Sequence, residues 1–214
     1  MTNTELFKEL MGKVKREGID DLMDFLSESD FYEAPASSQF HLSCEGGLLQ
    51  HSLNVCQRLF VKKHENFWDK ALSGISDESL VIMSLLHDVC KVNYYVKGSK
   101  NQKTYDPEKY AAAERWQKKQ DARGNFIWES VMKYDVEDSM PLGHGEKSVI
   151  IISRFIRLTD EELFAIRWHM AYSEEKSTYK SLDAAIEKYP VILALHEADL
   201  EASKLMEGKD GNLK

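Results

Sequence analysis

The feature that most restricts this chain is an almost unbroken apolar run, Leu80 to Leu86, that ends in His87-Asp88-Val89-Cys90-Lys91. The run starts behind Ser76, Asp77 and Glu78, residue types that favour a helix start. The pattern predicts a mostly buried helix with a histidine and an aspartate near its C-terminal end. A buried carboxylate is costly unless something compensates it. A hydrogen-bonded His–Asp pair that only fixes the core would do so. A metal cation would satisfy both groups at once.

Other polar groups intrude on apolar sequence in the same way. A helix from about Leu48 to about Lys62 carries His51 in its first turns, behind Glu45-Gly46-Gly47. Two adjacent glycines there allow tight backbone geometry or close packing. His144 stands between Gly143 and Gly145, just before an apolar helix spanning Val149 to Leu158. Thr159 and Glu162 form a capping-box pattern that opens a helix leading to Trp168 and His169. Pro190 opens a last long helix, Val191 to about Glu207, with His196 on it and Asp199 on or beside its apolar face. Taken singly, each histidine reads as a satisfied core or capping residue as readily as a ligand. Taken together, His51, His87, Asp88, His144, His169 and Asp199 come from five separate segments, and convergence on a metal explains all six. Imidazole and carboxylate donors suit Mn, Fe, Co, Ni or Zn, and thiolates are not required.

The remaining sequence frames that cluster. Residues 1–30 hold two packing helices. Phe31 to Cys44 is a loop with His41 in it, readable as a general acid, a substrate contact or a structural histidine. Residues 92–143 are a polar, aromatic insertion. Val92–Val96 and Phe126–Tyr134 look strand-like, and Pro107–Arg123 looks helical, closed by Gly124. Tyr94, Tyr95, Trp128 and Tyr134 favour an ordered flap, either a substrate lid or a decoration. The tail, 208–214, is expected to fray. A length of 214 residues suits one domain, 1–214. No apolar run approaches the length of a membrane span, and no basic segment followed by an apolar core marks a signal peptide. Three cysteines without CxxC spacing point to reduced thiols, buried as small fillers in a cytoplasmic protein. A net charge of −8 disfavours anionic membranes and long nucleic acid but admits a small anionic substrate.

The ordered set His51, His87-Asp88, Asp199 resembles the H…HD…D signature of the HD-domain metal-dependent phosphohydrolases. Gly46-Gly47-Leu48-Leu49-Gln50-His51 is similar to that superfamily's first-histidine segment. Leu85-Leu86-His87-Asp88-Val89-Cys90-Lys91 is similar to its H-D-x-x-K form. Gly-His-Gly and Trp-His-Met match the two extra histidines of its binuclear branch. The resemblance covers roughly residues 40–206 and extends to small bacterial and phage HD hydrolases. It departs from the common pattern at 92–143, and no accessory oligonucleotide-binding domain is expected within these residues.

The resemblance implies an all-α fold: a helical bundle with a central site and an inserted, partly β flap. It implies one divalent transition metal on His51, His87, Asp88 and Asp199, and a second that shares Asp88 and adds His144 and His169. Mn, Fe, Ni, Co or Zn would serve, with Mg also possible. Asp88, Lys91 and His41 become the catalytic candidates. Tyr95, Trp128 and Lys91 become the substrate contacts, with Lys91 also readable as a surface lysine. His196 would orient the Asp199 carboxylate. The implied activity is hydrolysis of a phosphoester in a nucleotide or short oligonucleotide through a metal-activated hydroxide. The alternatives are a phosphodiesterase acting on RNA or DNA ends or cyclic nucleotides, with Lys97, Lys100 and Lys103 forming a basic groove, and a non-catalytic, metal-stabilised nucleotide-binding scaffold.

Overall fold

In the computed structural model, which describes residues 1–208 and Gly211, the helix that precedes the His-Asp pair lies at the centre. Ten α-helices are formed among the described residues: α1 (Asn3–Met11), α2 (Ile19–Glu28), α3 (Gly47–Lys63), α4 (Asp69–Leu72), α5 (Asp77–Leu86), α6 (Pro107–Ala112), α7 (His144–Ser153), α8 (Asp160–Arg167), α9 (Tyr179–Lys188) and α10 (Val191–Glu201). Ser76 caps α5 by accepting from the Ser79 N–H, and every residue from Ser79 to Leu86 is buried. A helix that is apolar on all sides belongs inside a bundle. Accordingly α3, α8 and α1 pack directly on α5, α10 packs on α3 and α8, and α7 packs on α8. These contacts bring the start of α3, the end of α5, the start of α7, the end of α8 and the middle of α10 to one place.

The N-terminal helices are fastened by charge as well as by apolar contact. Arg16 donates to both carboxylate oxygens of Glu162, at 2.6 Å each. Glu162 is fully buried and also completes the predicted capping box with Thr159. The first turn of α8 and the α1–α2 linker are therefore held by one carboxylate.

The all-α class is corrected by the structure. Residues 92–143 contain a three-stranded antiparallel sheet, order β1-β3-β2, so the chain is mostly helical but mixed α and β. The strands are β1 (Tyr95–Thr104), β2 (Lys119–Asp121) and β3 (Gly124–Val136). β1 and β3 pair over ten residues, from Tyr95 opposite Val136 to Thr104 opposite Ile127. β1 overlaps the expected Val92–Val96 strand only at Tyr95 and Val96, Val92 instead closing the preceding 3-10 turn, and runs on to Thr104 through Lys, Ser, Asn and Gln carried by pairing rather than propensity; β3 contains the expected Phe126–Tyr134. The predicted helix 107–123 stops at Ala112. Its second half becomes β2, turned into β3 through Gly124 at φ 139°.

The tail expected to fray lies outside the described residues apart from Gly208 and Gly211. Gly208 is tied down, since its carbonyl accepts from the Leu42 N–H at 2.7 Å. No described helix is long and apolar enough to cross a membrane.

Candidate metal centre

Local backbone features aim the polar side chains. Gly46 caps α3 at φ 74°, and a Cβ on Gly47 would strike the Leu42 carbonyl, so the loop bearing His41 lies flat on the start of α3. The His41 and His51 rings are 5.1 Å apart as a result. His87 caps the C-terminal end of α5, directly after Leu86. Asp88 swings out at φ −106°, into a short 3-10 turn, Val89–Lys91. Gly145 abuts the Arg167 carbonyl, which presses the start of α7 onto the end of α8, just before His169. Ala171, at φ 43°, takes a left-handed conformation that costs a non-glycine residue energy and turns the chain away directly after His169.

Three buried imidazoles share one arrangement. His51 Nδ1 faces Glu207 at 3.0 and 3.1 Å, His87 Nδ1 faces the Ser84 carbonyl at 2.9 Å, and His169 Nδ1 faces the Ile166 carbonyl at 2.7 Å. A carbonyl or an ionised carboxylate only accepts, so each Nδ1 carries a proton and each Nε2 is the nitrogen left to bind either a second proton or a metal ion. Those Nε2 atoms point at one another and at two carboxylates. His51 and His87 Nε2 are 3.3 Å apart. His51 Nε2 lies 3.2 Å from Asp199 Oδ1 and 3.5 Å from Asp88 Oδ2. His169 Nε2 is buried, lacks a hydrogen-bond partner, and stands 3.6 Å from Asp88 Oδ1. Lone pairs converging on carboxylates repel unless a proton or a metal ion lies among them. Donors about 2.1 Å from a common ion are separated by roughly 3.0–3.4 Å; the His51–His87 and His51–Asp199 spacings fall in that range, and the two to Asp88, at 3.5 and 3.6 Å, lie just beyond it. The groups can hold a metal ion, in overlapping sets: His51, His87 and Asp88; His87, His169 and Asp199; Asp88, Cys90 and His144.

The electrostatics agree. Burial opposes an imidazolium at His51, but hydrogen bonds to Asp199 and Glu207 overcome it and push its pKa up to about 10. Burial also opposes charge on Asp88, yet Lys91 and His87 hold it well below the usual carboxylate range. Burial brings His87 down to about 4. Near neutral pH a proton on His51 Nε2, facing Asp199, supplies the positive charge that the two carboxylates favour, and a divalent cation would take that proton's place.

The six expected ligands do come together, with one regrouping. His144, partly exposed at the rim, sets its Nδ1 3.4 Å from Cys90 Sγ and clusters with Asp88 and Cys90 rather than with His169. Lys91 is engaged, with its Nζ 2.6 Å from Asp88 Oδ2. His41 borders a cleft of about 460 Å³ above the cluster, together with Phe40, Lys91, Tyr94, Tyr95 and Val136. Burial lowers the His41 pKa to about 4, so near neutral pH it is an uncharged imidazole and not a ready acid. Two expectations are displaced. His196 donates from Nδ1 to the His169 carbonyl at 2.8 Å, and so steadies His169 instead of Asp199. Trp128 lies far out along β3, eight residues beyond the cleft-lining Val136, because strand pairing carries it away from the body.

Two participants were not anticipated. Glu207 is buried, follows a π-helical turn at Ala202–Met206, and binds both His51 Nδ1 and Asn54 Nδ2. Its only sequence signal was an acid at the end of an apolar helix. Cys90 was read as a filler, yet its thiol contacts His144 and lies 3.9 Å from Asp88 Oδ1. Burial, then Asp88, push that thiol up to about 12. No disulfide joins cysteines among the described residues.

Compared with known proteins, the chain matches no family model, no curated protein and no solved structure, so function has to be argued from this cluster and its surroundings.

Proposed function

We propose that the chain is a metal-dependent phosphohydrolase of the HD-domain type, acting on a phosphoester of a nucleotide or short oligonucleotide. The observation that carries this reading is the set of three imidazoles whose Nδ1 protons are already committed and whose Nε2 atoms meet beside Asp88 and Asp199. Nitrogen and oxygen donors in this ratio suit Mn, Fe, Co, Ni or Zn better than Mg.

A cation bound there would supply Lewis-acid stabilisation of phosphoryl charge and would acidify a water. The chain's own residues do the rest. Asp88 turns Oδ2 toward His51 and His87 and Oδ1 toward His169, so one carboxylate can serve two neighbouring positions. Lys91, released from Asp88 when that oxygen is otherwise engaged, reaches the cleft and meets a phosphate oxygen. Tyr95 and Phe40 offer ring faces and edges at the cleft mouth for a base. His41, uncharged near neutral pH, accepts or donates one hydrogen bond to the substrate. A phosphodiester substrate is the second reading because the body end of the sheet, Tyr95 and Val136, borders the cleft. We place the protein in the cytoplasm on its undisulfided cysteines.

The test is elemental analysis of protein purified without chelator, run alongside hydrolysis of an aryl phosphomonoester and an aryl phosphodiester. About two transition-metal equivalents per chain with turnover supports the binuclear form, and about one supports a mononuclear nucleotidase. No metal, and no turnover after Mn, Ni, Co or Mg is added, sinks the enzyme reading and leaves a scaffold.

A further inference from the structure

From the first residue of β1 to the last of β3 the chain carries nine lysines and arginines against six acidic residues, a net +3 in a chain of −8. The sheet is thus a basic arm on a strongly acidic body. Its two faces also differ. Side chains alternate along paired strands, and the register sets Lys97 opposite Tyr134, Lys103 opposite Trp128 and Lys119 opposite Phe126. Those three lysines share a face with Trp128, Met132 and Val136, each more than half exposed. Lys103 lies 5.7 Å from the Trp128 ring centre, which agrees with that register. Asp121 is the one acid of the sheet on this face. On the opposite face Lys100 and Lys133 are balanced by Glu129 and Asp135.

The cationic, aromatic face runs into the candidate centre. Tyr95 and Val136, paired at the body end, line the cleft together with His51, Asp88 and Lys91. From Val136 out to Trp128 the strand extends about 26 Å. Lys97 is paired with Glu45 in a well-exposed contact that contributes little, and Lys103 with the half-buried Asp121, which also accepts from Tyr105. A phosphate can displace the Glu45 carboxylate.

We infer that this face binds a single strand of nucleic acid, with a base stacked on Trp128, phosphates met by the lysines, and one end led into the cleft. Charge complementarity and continuity with the cleft select that occupant. An exposed indole gains from an unstacked base, whereas a duplex hides its bases and an acidic peptide has none. The acidic body repels the strand elsewhere and confines it to the arm. The cleavage implied at the cleft end rests on the phosphohydrolase reading; the binding does not.

The experiment is fluorescence anisotropy of the full chain with labelled thymidine and uridine oligomers of about twelve nucleotides, a duplex of equal length, and polyglutamate. Both oligomers should bind more tightly than the duplex or polyglutamate, and the tighter of the two names the strand chemistry. Trp128→Ala should weaken binding roughly ten-fold. Replacing Lys97, Lys103 and Lys119 by Ala should flatten the salt dependence by about two units of slope. Lys100→Ala, on the other face, should change nothing. Absence of binding at low salt, equal affinity for polyglutamate, unchanged affinity in Trp128→Ala, or an equal loss in Lys100→Ala each overturns the inference. If metal content and aryl ester hydrolysis survive that failure, only the arm has been misread. If both are absent while the oligomers bind, the phosphohydrolase reading falls and the arm stands.

Discussion

In the helical body and in the β1–β3 arm the ordinary rule of burial is broken in opposite directions. The body hides His51, His87, His169 and Asp88, which are polar and almost never need to be inside. The arm displays Trp128 and Met132, which are large and apolar and would be expected to be covered. The supporting chemistry differs to match. Each buried imidazole has one nitrogen fixed by a carboxylate or a carbonyl, so its free nitrogen has a single direction. On the exposed face of the arm Trp128 is supported only by the edge of Phe126 and by Lys103 near its ring, among the described residues. The first pattern suits coordination, which demands fixed geometry. The second suits a partner whose shape varies along its length.

The strongest way to break this contrast is at the carboxylate on which the body cluster depends. Asp88→Ala should abolish metal binding and turnover while the helical circular dichroism stays largely present. Asp88→Asn keeps the shape, removes the shared charge, and should fail in the same way. Full metal content in either variant would mean that the centre lies elsewhere.

The body's structural ion pairs should come next. Arg16→Ala leaves the buried Glu162 with no charged partner and only the Thr159 N–H, and breaking such a pair costs about 3–5 kcal/mol. Urea unfolding monitored by circular dichroism measures the loss directly. A cost below 1 kcal/mol would show that Glu162 reaches water in solution.

Glu207→Gln sharpens the account of the cluster itself. The carboxylate accepts from His51 Nδ1, and exchange for an amide keeps a hydrogen bond but weakens the hold on tautomer and basicity. Metal affinity, measured by competition with a chromophoric chelator, should fall 10- to 100-fold. Unchanged affinity would assign Glu207 a packing role alone.

Much of the cluster was legible because a charged residue inside an apolar run is conspicuous, as Asp88 and Asp199 are. The capping box at Thr159 and Glu162 and the start of α5 were legible because their signals are local. What escaped depends on distance or on backbone. Glu207 meets His51 across 156 positions after a π-helical turn that no residue type announces. The acceptors that orient His87 and His169 are main-chain carbonyls, which carry no side-chain signature. β1 was underestimated because its Lys, Ser, Asn and Gln residues are strand-forming only beside β3. The register then places Lys97 and Lys103 on one face with Trp128 and puts Lys100 on the other, so the groove expected of all three is split. The HD-type family reading itself rests on motif order alone.

The smallest effect belongs to the arm's own ion pairs. Lys109 and Glu129 meet at 2.7 Å, nearly the spacing of Arg16 and Glu162, but their side chains are 51% and 36% exposed. Water competes for both charges, and two long side chains must be ordered to hold one contact. Lys109→Ala should therefore leave stability almost unchanged and Glu129 solvated rather than stranded. Hydrogen exchange across β3, compared between the variant and the parent chain, reads the arm without interference from the body. Protection lost along the whole strand would mean that α6 is needed to hold the arm in shape, and the contrast between a fixed body and an adaptable arm would then have to be redrawn inside the arm itself.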